Sequence, residues 1–294
     1  MYFNRIEDIP HVEERAVIIN CGTKEASTLA LLSTLRYAEM PVLLVDCESP
    51  DNSLEHFLKL MEQNTFDVLS APLRGHGITL DWIFAAINAD KVLLVDSDLE
   101  ILDAALLRFM HEYIDDSTTF GAGFVQGPTW IDDWPGTILE GAYLQERCWI
   151  PFAFLKVSFV REALEAGISF RARTIYNDFF FSTTLSRGLV KLKMRYPILK
   201  RFQTPMAFRK TYYGFGPSVV YCDTGANMFQ YLRYRREIKF VGLPERFHQR
   251  YVTHFGGLTR IALNHHEIEK GKDEWIRKNI RERLRDGYEI VLQD

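Results

Sequence analysis

Asp96 and Asp98 stand one residue apart at the end of a short apolar run, Val92 to Val95, inside the stretch KVLLVDSDLEIL. Two carboxylates so close together make a hard, anionic spot suited to Mg2+ or Mn2+. Such an ion keeps positions open for phosphate oxygens. The chemistry implied is therefore the handling of a phosphorylated ligand. A plainer alternative has Asp96 capping a turn and Asp98 in solvent.

The apolar run before the acids has the pattern of a strand buried in a parallel sheet. Asp is a poor strand residue, so the pair belongs where the strand emerges. Ligands of open α/β sheets bind at that carboxyl end. The upstream segments supply such a sheet. Ala16 to Asn20, Val42 to Val45 and Asp67 to Ala71 read as strands, and helical spacing follows each, over Ser27 to Glu39, Leu54 to Asn64 and Thr79 to Asn88. This alternation predicts right-handed crossovers and a mostly parallel central sheet with helices on both faces. No GxGxxG follows the first strand, so the dinucleotide fingerprint is missing.

Beyond the acids, Leu102 to Ile114 reads as a helix and Phe120 to Val125 as a return to the sheet. Gly127 to Pro135 is a loop carrying Trp130, Asp132, Asp133 and Trp134, where an indole could stack on a sugar face or simply pack. An apolar, aromatic strand region runs from Cys148 to Phe159, then a short helix from Arg161 to Ala166. Asp178 lies among aromatics in TIYNDFFFSTTL. From Gly188 to Cys222 there are seven Lys or Arg residues and no acid. That run, with Gly214 and Gly216 inside it, predicts either a solvated face or a mobile loop that meets an anionic ligand. Phe240 to Leu243 precedes His248 and His254, and Ile261 to Arg285 has helical spacing that breaks near Gly271.

Length and composition bound the reading. With 294 residues, 47% hydrophobic and 25% charged, the chain fits one large α/β domain, or a domain with an appendage. A formal net charge of −4 excludes whole-molecule electrostatic binding to nucleic acid. Cys21, Cys47, Cys148 and Cys222 lack zinc-ligand spacing and suit a reducing compartment. The opening MYFNRIEDIPHVEER is too polar for a signal peptide, and no apolar run approaches a membrane span. The expectation is a cytoplasmic protein, with room for peripheral contact at the inner face of a membrane.

The order of these pieces resembles the GT-A glycosyltransferases, in particular their large family 2-like group, from Ala16 to about Arg260. In that family a nucleotide-contacting turn follows the first strand, matched here by Asn20, Cys21 and Gly22. The second strand ends in an acid within a D-x-x-S-x-D loop, matched by Asp46 to Asp51. The DxD at the end of a later strand is matched by Asp96 and Asp98. A late His followed by small residues completes the metal site, and His254-Phe255-Gly256-Gly257 looks like it. Where the family often has a Glu-Asp pair whose Asp is the catalytic base, this chain has Asn177-Asp178.

The resemblance implies a metal-dependent transfer of a sugar, by direct displacement with inversion, from a nucleotide-diphosphate sugar to a hydroxyl acceptor. The acceptor would be a saccharide or glycolipid, as in surface polysaccharide or glycolipid synthesis. It implies Mn2+ or Mg2+ held by Asp98 and His254, with Asp96 either a direct ligand or in contact through a metal-bound water. Asn20, Cys21, Gly22, Asp46 and Asp96 would contact the nucleotide, and Asp178 would be the base. It divides the chain into a GT-A domain over 1–260, with a nucleotide-sugar half (16–125) and an acceptor half (126–260), and a C-terminal helical extension (261–294). Two alternatives keep some of these features. One is a non-catalytic sugar-nucleotide-binding protein of the same fold. The other is a haloacid-dehalogenase-like phosphatase, whose DxD sits on the first strand rather than about the fourth.

Overall fold

The computed structural model describes residues 1–131, 142–176, 219–256, 258 and 270–291. In chain order its strands are β1 (Tyr2–Phe3), β2 (Val12–Asn20), β3 (Val42–Cys47), β4 (Asp67–Ala71), β5 (Ala89–Asp96), β6 (Leu99–Ile101), β7 (Thr119–Gln126), β8 (Thr129–Ile131), β9 (Ala142–Leu144), β10 (Arg147–Lys156), β11 (Arg173–Tyr176), β12 (Val219–Cys222), β13 (Lys239–Gly242) and β14 (Val252–His254). Its helices are α1 (Lys24–Tyr37), α2 (Ser53–Leu60), α3 (His76–Ala86), α4 (Ala105–Ile114), α5 (Val157–Glu165), α6 (Ala226–Gln230, continued by a π-helix over Tyr231–Arg235), α7 (Glu245–Tyr251) and α8 (Lys270–Tyr288).

Among the described residues the main sheet has the order β1-β4-β3-β2-β5-β10-β7-β13, and in it only β10 runs against the other strands. β5 lies inside, parallel to β2 on one side and antiparallel to β10 on the other. The expected mostly parallel sheet is therefore present, with β5 interior as the run Val92 to Val95 implied. Alternate residues of β5 enter two cores. Val92 and Leu94 meet Leu80 and Phe84 of α3 and Val160 of α5 on one face. Leu93 and Val95 meet Leu31 of α1 and Leu107 and Met110 of α4 on the other. Both faces of the strand are dry, which is why it reads as an unbroken apolar run rather than an alternating one.

Two small sheets sit beside this frame. One has the order β11-β12-β9-β8, and the other pairs β14 with β6. The ladder between β10 and β7 is irregular between Cys148 and Ala153. Pro151 falls in that interval, where a residue without an N–H costs no ladder bond.

Some boundaries differ from the sequence expectation. The aromatic stretch after Cys148 stays a strand only to Lys156, and Val157 already belongs to α5. Val157, Val160 and Ala163 repeat at helical spacing and are all buried, so core packing decides the conformation over β propensity. α8 runs from Lys270 through Tyr288, and the residues before Lys270, where the expected break near Gly271 would show, lie outside the described residues. Ile276, Ile280 and Leu284 of α8 pack on Ala26, Leu29 and Leu32 of α1.

Candidate metal centre and nucleotide edge

β5 ends at Asp96, and Ser97 and Asp98 turn the chain into β6. β6 pairs antiparallel with β14, so that Leu99 opposes His254. This short ladder brings together residues more than 150 positions apart, a separation of 160 for the Asp98 and Leu258 contact. His254 Nε2 lies 3.0 Å from Asp98 Oδ1 and 3.7 Å from Asp96 Oδ2. One ligand atom from each of the three side chains lies within 4.8 Å of the others.

The backbone fixes Asp98. The Leu258 N–H donates to its Oδ2 at 3.3 Å, and the Phe255 N–H donates to its carbonyl at 2.9 Å. Oδ1 of Asp98 and Nε2 of His254 are both buried, and among the described residues neither has a hydrogen-bond partner of good geometry. Donors about 2.1 Å from an octahedral ion stand roughly 3.0 Å apart when adjacent, so this spacing fits two ligands of one cation. Two carboxylates and an imidazole suit a divalent ion of the Mn2+ type.

The electrostatics agree. Burial alone would lower the His254 pKa, but the Asp96 and Asp98 carboxylates beside the ring push it up to about 10. Burial would raise the Asp96 carboxyl, yet His254, the charge of His76 and the Ser97 N–H together hold it below its ordinary value. Without an ion, a proton on His254 balances the acids.

The neighbouring strand ends form a second feature. In register, Asn20 of β2 opposes Asp46 of β3, and Ile19 opposes Asp96. Asn20 Nδ2 donates to Asp46 Oδ1 at 2.7 Å and to Ser49 Oγ at 2.8 Å. Its Oδ1 accepts from Ser27 Oγ at 2.7 Å and from Thr23. Asp46 is only 1% exposed, and its Oδ2 accepts the Ser49 N–H at 3.3 Å. Gly22 adopts φ 68°, a left-handed conformation that favours glycine. Its N–H donates to Ser49 Oγ at 3.0 Å. Asp51, from the same loop, accepts the Lys24 N–H at 2.9 Å at the start of α1. Cys21 is nearly buried beside this network.

Sequence reasoning passed over several contributors. His76 opens α3 and is exposed near Asp96. Trp149 sets its ring edge-on to His254 at 5.1 Å and lies 4.5 Å from the ring of His248. No spacing in the sequence announces either contact. Asp178, Asn177, Asp132, Asp133, Trp134 and the cations from Lys191 to Lys210 lie outside the described residues, as does Gly257.

Among known proteins, no family model and no curated protein matches this chain. Solved structures do. A mannosyltransferase of Pyrobaculum calidifontis, in complex with GDP-Man and Mn2+, aligns at a TM-score of 0.40 and 10% identity over 54% of this chain. The alignment spans about half of that enzyme, 48% of its chain. TarS of S. aureus, in complex with UDP-GlcNAc, aligns at 0.38 and 14% identity over 94% of this chain and 73% of its own. The 4-diphosphocytidyl-2C-methyl-D-erythritol synthase of Anaerococcus prevotii aligns at 0.38 and 10% identity over 53% of this chain and 74% of its own. The chain is similar in structure to these three, at a level that leaves the functional reading to the geometry of the site itself.

Proposed function

We propose that this chain is a GT-A glycosyltransferase that uses a divalent metal, Mn2+ or Mg2+, and moves a sugar from a nucleotide-diphosphate sugar to a hydroxyl acceptor with inversion. The observation that carries this reading is the Asp96, Asp98 and His254 cluster at the carboxyl end of an interior strand, with two buried ligand atoms 3.0 Å apart that meet no other polar partner than each other and the acids among the described residues. Asp98 and His254 would hold the ion directly, with Asp96 beside them. When bound, the ion supplies positive charge opposite the negative charge that grows on the diphosphate leaving group.

The remaining roles belong to the chain's own residues. The edge formed by Asn20, Cys21, Gly22 and Asp46 lies next to Asp96 in register, and on this reading it bounds the base and ribose. Its internal hydrogen bonds make it rigid, which limits the ordering cost of binding. Asp178 would take the proton from the acceptor hydroxyl as a general base. The basic run from Lys191 to Lys210 would face the diphosphate or an anionic acceptor. The acceptor class proposed is a saccharide or glycolipid, with a cytoplasmic location at or near the inner face of a membrane. No described helix is long and apolar enough to cross one.

The test is a thermal-shift panel of nucleotide diphosphates and sugar nucleotides, with and without Mn2+. Binding to the native state raises the melting temperature by linkage. The expected result is a shift that needs nucleotide and metal together. No shift with any donor would overturn the reading. A shift without turnover on any acceptor would favour a non-catalytic binding protein.

A further inference from the structure

Glu100 lies in β6, two residues beyond Asp98, and it is buried. Its carboxylate meets the guanidinium of Arg283, on α8. The same guanidinium stands over the Phe255 ring, 5.8 Å from the ring centre. Phe255 directly follows His254. One cation therefore grips both halves of the short ladder, β6 through Glu100 and the end of β14 through Phe255.

That ladder is what sets the ligands against each other. Glu100 opposes Thr253 in it, and Leu99 opposes His254. It is only three residues long on each side, so it has little stability of its own. Slippage of either strand would change the 3.0 Å separation of His254 and Asp98. Arg283 is itself anchored, because α8 packs on α1 through Ile276, Ile280 and Leu284. An arginine suits this place: its planar group can meet a carboxylate and an aromatic face together, which the point charge of a lysine does less well.

We infer that Arg283 is a positioning residue for the metal centre, fixing the ladder that holds Asp98 against His254, so that the C-terminal helix is part of the site. This rests on the metal-dependent reading above. The test follows Mn2+ binding to the full chain by the electron paramagnetic resonance signal of the free ion, with no turnover required. Arg283→Met keeps the aliphatic stem and removes the charge, and it is expected to weaken Mn2+ binding about tenfold, in the range seen when groups supporting metal ligands are lost. Arg281→Met removes a different α8 cation, one that pairs with Glu25 of α1, and it is expected to leave Mn2+ affinity unchanged.

Wild-type affinity in Arg283→Met would overturn the inference and leave the metal reading intact. Equal losses in both variants would also overturn it, since α8 would then act by packing alone. A wild-type chain that binds no Mn2+ would instead overturn the metal reading itself. Because Arg283→Met leaves Glu100 buried without its cation, the double variant Arg283→Met, Glu100→Gln carries the same test if the single one does not fold. Weaker Mn2+ binding is expected there too, and wild-type affinity would overturn the inference.

Discussion

Asp98 has one oxygen bound by a backbone N–H and the other turned toward His254, a division of labour that a single substitution can separate. Asp98→Asn keeps the volume and an acceptor for Leu258 but removes the charge an ion needs. It is expected to weaken Mn2+ binding by about 100-fold or more, beyond the usual cost of losing a supporting residue. A calorimetric titration checks this, and binding like the wild type would remove Asp98 from the metal. Asp178 poses a separate question, that of the base. On the proposed reading Asp178→Asn retains the metal-dependent thermal shift with donor and loses roughly 10²–10⁴-fold in transfer rate. Asn variants of Asp132 and Asp133 serve as comparators, and NMR of the product's anomeric centre reports inversion. Normal transfer by Asp178→Asn, or retention of configuration, would reject this base.

Elements explain why the ligands stand where they do. Leu93 is fully buried in β5 against α1 and α4, so Leu93→Ala is expected to cost about 2–5 kcal/mol, read from chemical denaturation. Asp51 reaches from the loop after β3 to the first turn of α1, where it accepts the Lys24 N–H. Removing that cap as Asp51→Ala is expected to cost about 1 kcal/mol. The parts of the fold that were legible in the sequence were those with one physical cause. β2, β3 and β5 read as strands because their central apolar runs are buried, and Asp96 marked the end of β5 while Asp46 stands one residue before the end of β3. Other parts had competing causes. Val157 to Val160 looks like strand by composition and is helix by packing. β6 and β14 are too short to carry a period, so the meeting of Asp98 with His254 came from family likeness and not from spacing. The contact of Arg283 with Glu100 spans 183 positions and leaves no local trace at all.

On the scale of the whole molecule, the sheet has two unlike ends. The carboxyl ends of β2, β3 and β5 hold the candidate site, while the opposite end of β5 is closed by charge. Lys91 contacts Glu14 at 2.9 Å, Asp115 at 2.6 Å and Glu13 at 3.2 Å. His111 of α4 sits 3.4 Å from Glu14 and packs its ring edge-on to Phe154 of β10. The hydrogen bond and charge of Glu14 raise the His111 pKa above its ordinary 6.5, against the opposing effects of burial and Lys91. A histidine with a raised folded-state pKa adds stability that is fully present below the unfolded value and is lost as pH rises through the folded one. Stability from this pair should therefore fade as pH climbs above 6.5. Histidines with lowered pKa values, His56 and His248, act in the opposite sense, so the overall pH profile does not isolate His111. The difference between wild type and His111→Gln does. Wild type is expected to be the more stable of the two near pH 6, with the gap narrowing as pH rises above 6.5 and the imidazolium is lost. Denaturant midpoints measured across that range test the expectation, and a gap that stays constant with pH would show that His111 contributes packing against Phe154 and no charge.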